Sequence, residues 1–169
     1  VFAPETQRCE KSFYIYFGIK SSWYLQERPI KKQMAQINSY LTFNGNCREA
    51  MTFYKECLGG ELMFQTVGES PLSEKMPTRM KNCIVHATLS REALVLMASD
   101  MVGEQGLIQG NSVSLSLHCS SEEEIKECYA KLSAGGTASH PLEENFWGTL
   151  FGGLTDKFGN HWILHYNKK

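Results

Sequence analysis

The feature that most constrains this chain is a pattern of elements that occurs twice. Between Ile37 and Phe43 the residues Ile37, Leu41 and Phe43 are apolar, while Asn38, Tyr40 and Thr42 fall on the opposite face, the alternation of a half-buried strand. Asn44-Gly45-Asn46 makes a turn, and Asn46 with Glu49 has the spacing of a capping box that opens a helix. Cys47, Ala50, Met51, Tyr54 and Leu58 then recur on one helical stripe. Gly59-Gly60 ends that helix, because glycine enters the left-handed cap conformation without a Cβ clash. Strands are expected over 61–67, 83–90 and 93–99, with a long loop, 68–82, between the first two. Loops of that length are usually functional or mobile.

From Asn111 the order begins again. Ser112 to Cys119 alternates strictly, with Val113, Leu115, Leu117 and Cys119 against Ser112, Ser114, Ser116 and His118. Ser121 and Glu124 offer a second capping box, Ile125, Cys128, Tyr129 and Leu132 a second stripe, and Gly135-Gly136 a second stop. Strands over 137–141, 148–155 and 160–166 complete it. The offset between the copies is about 75 residues, which marks an internal duplication of a βαβββ module.

Length and charge fit this reading. A chain of 169 residues is one domain, with room for an appendage. Residues 1–33 carry six basic and three acidic side chains and crowd Phe13, Tyr14, Tyr16, Phe17, Trp23 and Tyr24 without the module's pattern. They read as an appendage: an upstream in-frame segment, a leftover of cloning or a packing arm. The domain is expected over 34–169, as module one (34–99), a linker (100–110) and module two (111–169). The net charge of −1 argues against nucleic acid as a partner, and the absence of a run of about 18 apolar residues argues against a spanning helix. Six scattered cysteines without a CxxC suit reduced thiols in the cytoplasm rather than a zinc site.

Tyr40-Leu-Thr-Phe-Asn-Gly-Asn-Cys-Arg-Glu-Ala50, His86-Ala87, Phe146-Trp147-Gly148 and Asp156-Lys-Phe-Gly-Asn-His-Trp162 resemble the PhnB-like subgroup of the vicinal oxygen chelate superfamily. That superfamily includes glyoxalase I, bleomycin-resistance proteins and extradiol dioxygenases. The resemblance runs in order from about Met34 to Lys169. It implies an α+β fold, with paired βαβββ modules forming a cupped mixed sheet that carries helices on its outer face. It also implies a homodimer that can exchange modules between chains. The subgroup often bears the label 3-demethylubiquinone-9 3-methyltransferase.

The superfamily's enzymes hold a divalent metal with His and Glu from four strands. Those positions map near Asn38, Val95 or Met97, Ser114 and Ile163, none of which is a carboxylate or imidazole. A slip of one residue in each strand would bring His161 or His165 into play but would leave the other strands without a ligand, so a metal is not expected, and no other cofactor is implied. Methyl transfer is not expected either, because the glycine pairs follow helices instead of opening them after a strand.

What remains is a pocket. Strand parity sets Ile37, Leu41, Phe43, Val85, Ala87, Leu89, Val113, Leu115 and Leu117 against the helices. The cup is then lined by Asn38, Tyr40, Thr42, Ile84, His86, Thr88, Ser112, Ser114 and Ser116, with Met97 in reach and Trp147 and Phe151 closing one end. Hydroxyls, an imidazole and aromatic rings suit a small, half-apolar organic ligand. His86 is the candidate for acid–base work, whereas His118 and His140 read as solvated groups at a strand end and in a loop. The expectation is a metal-independent binding protein that forms a homodimer. The alternatives are a metal-dependent lyase or dioxygenase, a metal-free acid–base enzyme, or a structural module whose cup is filled by its own side chains.

Overall fold

The computed structural model describes Ala35 and residues 37–168. The expected appendage, residues 1–33, lies outside the described residues. Module one contains β1 (Ser39–Thr42), α1 (Cys47–Leu58), β2 (Glu61–Thr66), a short 3-10 turn (Thr78–Met80), β3 (Ile84–Arg91) and β4 (Leu94–Ser99). Module two repeats it as β5 (Leu115–His118), α2 (Glu122–Ser133), β6 (Thr137–Glu144), β7 (Thr149–Thr155) and β8 (His161–Asn167). The sheets run β1-β4-β3-β2 and β5-β8-β7-β6. In each, the first strand pairs parallel with the fourth and the other pairs are antiparallel. The fold is α+β, with two copies of one βαβββ unit.

The glycine pairs repeat the same close approach. A Cβ on Gly60 would lie 2.5 Å from the Ser90 carbonyl, and one on Gly136 would lie 2.2 Å from the Thr155 carbonyl. Only glycine lets the chain leave each helix so tightly against the third strand of its own sheet.

The helix starts differ between copies. Ser121 Oγ accepts the Glu124 N–H at 3.1 Å, as a capping box requires, but the Glu124 carboxylate reaches the N–H and hydroxyl of Ser120 instead. Asn46 makes no side-chain cap, contrary to expectation. Asp100, just after β4, takes over: its Oδ1 accepts the N–H groups of Gly45 and Cys47 and its Oδ2 that of Ile84, each at 2.9 Å. A carboxylate outcompetes an amide there because it satisfies more donors and also complements the helix dipole.

Alternation misplaced five side chains. Pairing of β1 begins at Ser39↔Leu96 and pairing of β5 at Leu115↔Trp162. Ile37 and Val113 therefore precede the ladders and are 100% and 74% exposed, rather than packed against helices. Ser112 and Ser114 likewise precede β5. Thr66 pairs with Ile84 while Gln65 pairs with His86, so Val85 has no partner. That bulge turns Ile84 into the core, against the expected lining role. His140 stands in β6, not in a loop.

One core serves both modules. Ala50, Met51, Tyr54 and Leu58 of α1 join Ile125, Cys128 and Leu132 of α2, together with Ala87, Leu89, Trp162 and Leu164 from the strands. Each such side chain contributes about 1.5–3 kcal/mol when fully buried. Phe158, in the β7–β8 turn, sets its ring edge-on to Phe43, Phe53 and Tyr54 of module one.

Candidate functional site: the two open sheet faces

Because the helices of both modules meet in this core, the opposite face of each sheet is left open. On sheet one, Tyr40, Met97, Thr88 and Met63 form a rung across all four strands. His86 lies beside it: its Nε2 is 3.0 Å from Thr88 Oγ1, and its ring centroid is 6.1 Å from that of Tyr40. On sheet two the equivalent rung is Ser116, Ile163, Gly153 and His140. The next is His118, His165, Phe151 and Glu143. A Cβ on Gly153 would meet His140 Nδ1 at 3.3 Å, so the imidazole fills the space that glycine leaves.

The His118 and His165 rings meet edge to face at 4.6 Å. Burial, reinforced by His118, lowers the pKa of His165 and keeps it neutral at neutral pH. His161 Nδ1 pairs with Thr155 Oγ1 at 2.9 Å. Strand parity thus puts all five histidines of the chain on the faces turned away from the helices. Four of them are on sheet two.

Of the residues expected to bind ligand, Tyr40, Thr42, His86 and Met97 share the open face of sheet one, while Ser116 and Phe151 share that of sheet two. Asn38, Ser112 and Ser114 are exposed in the segments leading into β1 and β5. Trp147 is 83% exposed beside Phe146 at the β6–β7 turn. Neither face is covered by the rest of the described chain: Tyr40 is 50% exposed and Phe151 38%. The sequence reading considered His161 and His165 only through a slipped metal alignment and did not join them with His118 and His140 on one face, although His161, Ile163 and His165 alternate as Ser116 and His118 do.

The superfamily profile named Glyoxalase/Bleomycin resistance protein/Dioxygenase matches residues 36–164. The chain belongs to this superfamily. It is 32% identical over 142 residues to protein YjdN of Escherichia coli (strain K12), covering 79% of this chain and 96% of that one. Among solved structures it is similar to protein PA1353 from Pseudomonas aeruginosa, with 37% identity and a TM-score of 0.70 over 80% of this chain and 100% of the other. It is also similar to a PhnB protein from Bacillus cereus that carries the name 3-demethylubiquinone-9 3-methyltransferase, with 27% identity and a TM-score of 0.63 over 78% and 99% of the two chains.

The superfamily's metal does not fit the donors at its expected positions. Met97 and Ile163 offer no hard ligand, and Asn38 and Ser114 precede their strands. Among the described residues no group of three or more His, Cys, Asp or Glu side chains is gathered for a metal. Among the described residues no helix is long and apolar enough to cross a membrane.

Proposed function

We propose that the protein is a metal-independent binder of a small organic molecule, held between sheet one of one chain and sheet two of a second copy. The observation that carries this reading is the contact between α1 and α2. A cup built within one chain would join the sheets through their edge strands, β1 and β5. Because α1 lies mainly over β3 and α2 over β7, the helices would then stand five strand spacings of about 4.8 Å apart, roughly 24 Å. Helices that touch lie at about 8–10 Å. The two open faces therefore do not face each other within a chain, and a homodimer supplies the missing wall. Such a contact should bury more than about 1,000 Å² in total.

The lining supports a half-apolar ligand. Sheet one offers Tyr40, Met97 and Met63 with His86 and Thr88, and sheet two offers imidazoles, Ser116 and Phe151. A metal-free acid–base reaction is the second reading, favoured by the neutral His165 beside His118 and by His86. Free thiols at Cys47, Cys57, Cys83, Cys119 and Cys128 support a reducing compartment such as the cytoplasm.

The test combines light scattering with a thermal-shift screen of metabolites and antibiotics. A dimer is expected at tens of micromolar. Hits should raise the melting temperature equally after chelation and lose their effect in Met97→Trp, which fills the rung. A monomer, a shift that needs added metal, or one that survives Met97→Trp would sink the proposal.

A further inference from the structure

Fixed charge is nearly absent from the two open faces, although water reaches both in a single chain. A solvated sheet face ordinarily carries lysines and glutamates among its outward residues, and this chain has 17 Lys+Arg and 18 Asp+Glu to place. Among the described residues, Arg91 is the one lysine or arginine within the eight strands. It turns toward the helices: its Nη1 donates to the Leu58 carbonyl at 2.8 Å, and its Nη2 pairs with Glu124 of α2 at 3.3 Å. Glu144 stands opposite Leu150 of the core, and Lys168 holds its carboxylate at 2.6 Å. The other two strand acids, Glu61 and Glu143, do share the open faces, but they stand on β2 and β6, the outermost strands.

The helices show the opposite distribution. α1 carries two basic and two acidic residues, and α2 carries two basic and four acidic ones. The open faces present neutral hydrogen-bonding groups beside apolar ones instead, and Met63 is 73% exposed among them. Surfaces that become covered are depleted of charge in this way, because an ion taken out of water needs an opposite charge to meet it.

We propose that the molecule held in the cup is uncharged. The proposal rests on the reading of the two faces as walls of one cup. A carboxylate, phosphate or ammonium group placed between them would give up its water and meet no opposite fixed charge on the central strands. The imidazoles do not replace one. His86 and His161 each engage a ring nitrogen with the hydroxyl of Thr88 or Thr155, and burial keeps His165 in its neutral form. An amide, alcohol, phenol or ketone exchanges its hydrogen bonds with water for bonds to Tyr40, Thr88 or Ser116 without that loss.

The experiment follows the thermal shift of the full chain at pH 8, well above the ordinary imidazole value of about 6.5. The probes are the carboxamide, carboxylate and aminomethyl derivatives of benzene, naphthalene and biphenyl, flat rings that suit the aromatic and thioether wall. Within a set, the carboxamide should half-saturate at a concentration at least about 10-fold below that of either ion, and Met97→Trp should abolish its shift. Met63→Lys, at an exposed position on the same rung, should move the preference toward the carboxylate by at least ~3-fold, and it answers the question even where Met97→Trp fails to fold. Ions that bind as tightly as the carboxamide, and are lost in Met97→Trp, would leave the cup standing and overturn its neutrality, as would an unchanged preference in Met63→Lys. Shifts that survive Met97→Trp, or no shift from any probe, would overturn the cup itself and this inference with it.

Discussion

Replacing Asp156 by asparagine should remove a large share of the stability. Asp156 is buried at the start of the β7–β8 turn and accepts four hydrogen bonds. Its Oδ2 takes the Tyr54 hydroxyl and the Trp162 indole N–H, each at 2.7 Å. Its Oδ1 takes the N–H groups of Phe158 at 2.9 Å and Asn160 at 3.0 Å. Burial and the adjacent carboxylate raise the Tyr54 pKa far above its usual value, so its hydroxyl stays a donor. Every partner is thus a donor, and Asn160 Nδ2 adds a further bond to the Tyr54 oxygen at 2.7 Å. Asparagine keeps one acceptor oxygen and turns an NH2 group toward the other two donors. Losing two charge-assisted hydrogen bonds at about 1.5–3 kcal/mol each gives a cost of roughly 3–6 kcal/mol. That is a large fraction of the 5–15 kcal/mol typical of a domain. Urea unfolding followed by tryptophan fluorescence should show the midpoint falling with little change in slope. Tyr54→Phe alone should cost about 1–2 kcal/mol, and the double variant should show coupling of at least ~0.5 kcal/mol. A loss below about 1 kcal/mol for Asp156→Asn, or strict additivity, would refute the account of the network.

Gly60→Ala and Gly136→Ala should each cost at least about 3 kcal/mol or abolish folding, because their Cβ atoms would strike the Ser90 and Thr155 carbonyls. Gly103→Ala, with open space around it, should be neutral in the same urea titration. Because the folded-state pKa of His165 lies below its ordinary 6.5, stability should be unaffected by this group above that pH. It should fall as the pH drops from 6.5 through the folded value, because the unfolded chain binds the proton more readily. His165→Asn should flatten that slope in unfolding measured between pH 7 and 5. A chain that starts at Met34 should keep its melting temperature within a few degrees and its oligomeric state, and insoluble protein would show that residues 1–33 belong to the fold.

The duplicated architecture was legible because each element carries its own local signal: alternation in β1 and β5, stripes in α1 and α2, and a glycine pair after each helix. What the sequence concealed depends on partners far along the chain. Asp100 caps α1 from more than fifty residues away and so left Asn46 looking like the cap. The bulge at Val85 reverses Ile84 because of how β2 pairs, and no pattern inside β3 reports it. Ser112 and Ser114 continue a perfect alternation, yet the ladder of β5 begins only at Leu115. His118 is exposed at the end of β5 as expected, but only the pairing of β5 with β8 shows that its ring meets that of His165.

The two modules carry different side chains on their open faces. Sheet one fills its rung with Tyr40, Met97 and Met63, and sheet two replaces the same positions with Ser116, Ile163 and His140 beside the bare Gly153. Two copies of sheet one set face to face would oppose bulk to bulk, and two copies of sheet two would leave facing imidazoles around a hollow. One of each complements the other, with an aromatic and thioether wall against an imidazole and hydroxyl wall. In the proposed dimer a two-fold axis applies that pairing twice, covers all four open faces and builds two identical cups. A single substitution such as Met97→Trp then alters both cups equally, so its effect on binding should appear as a loss of every site rather than of half of them.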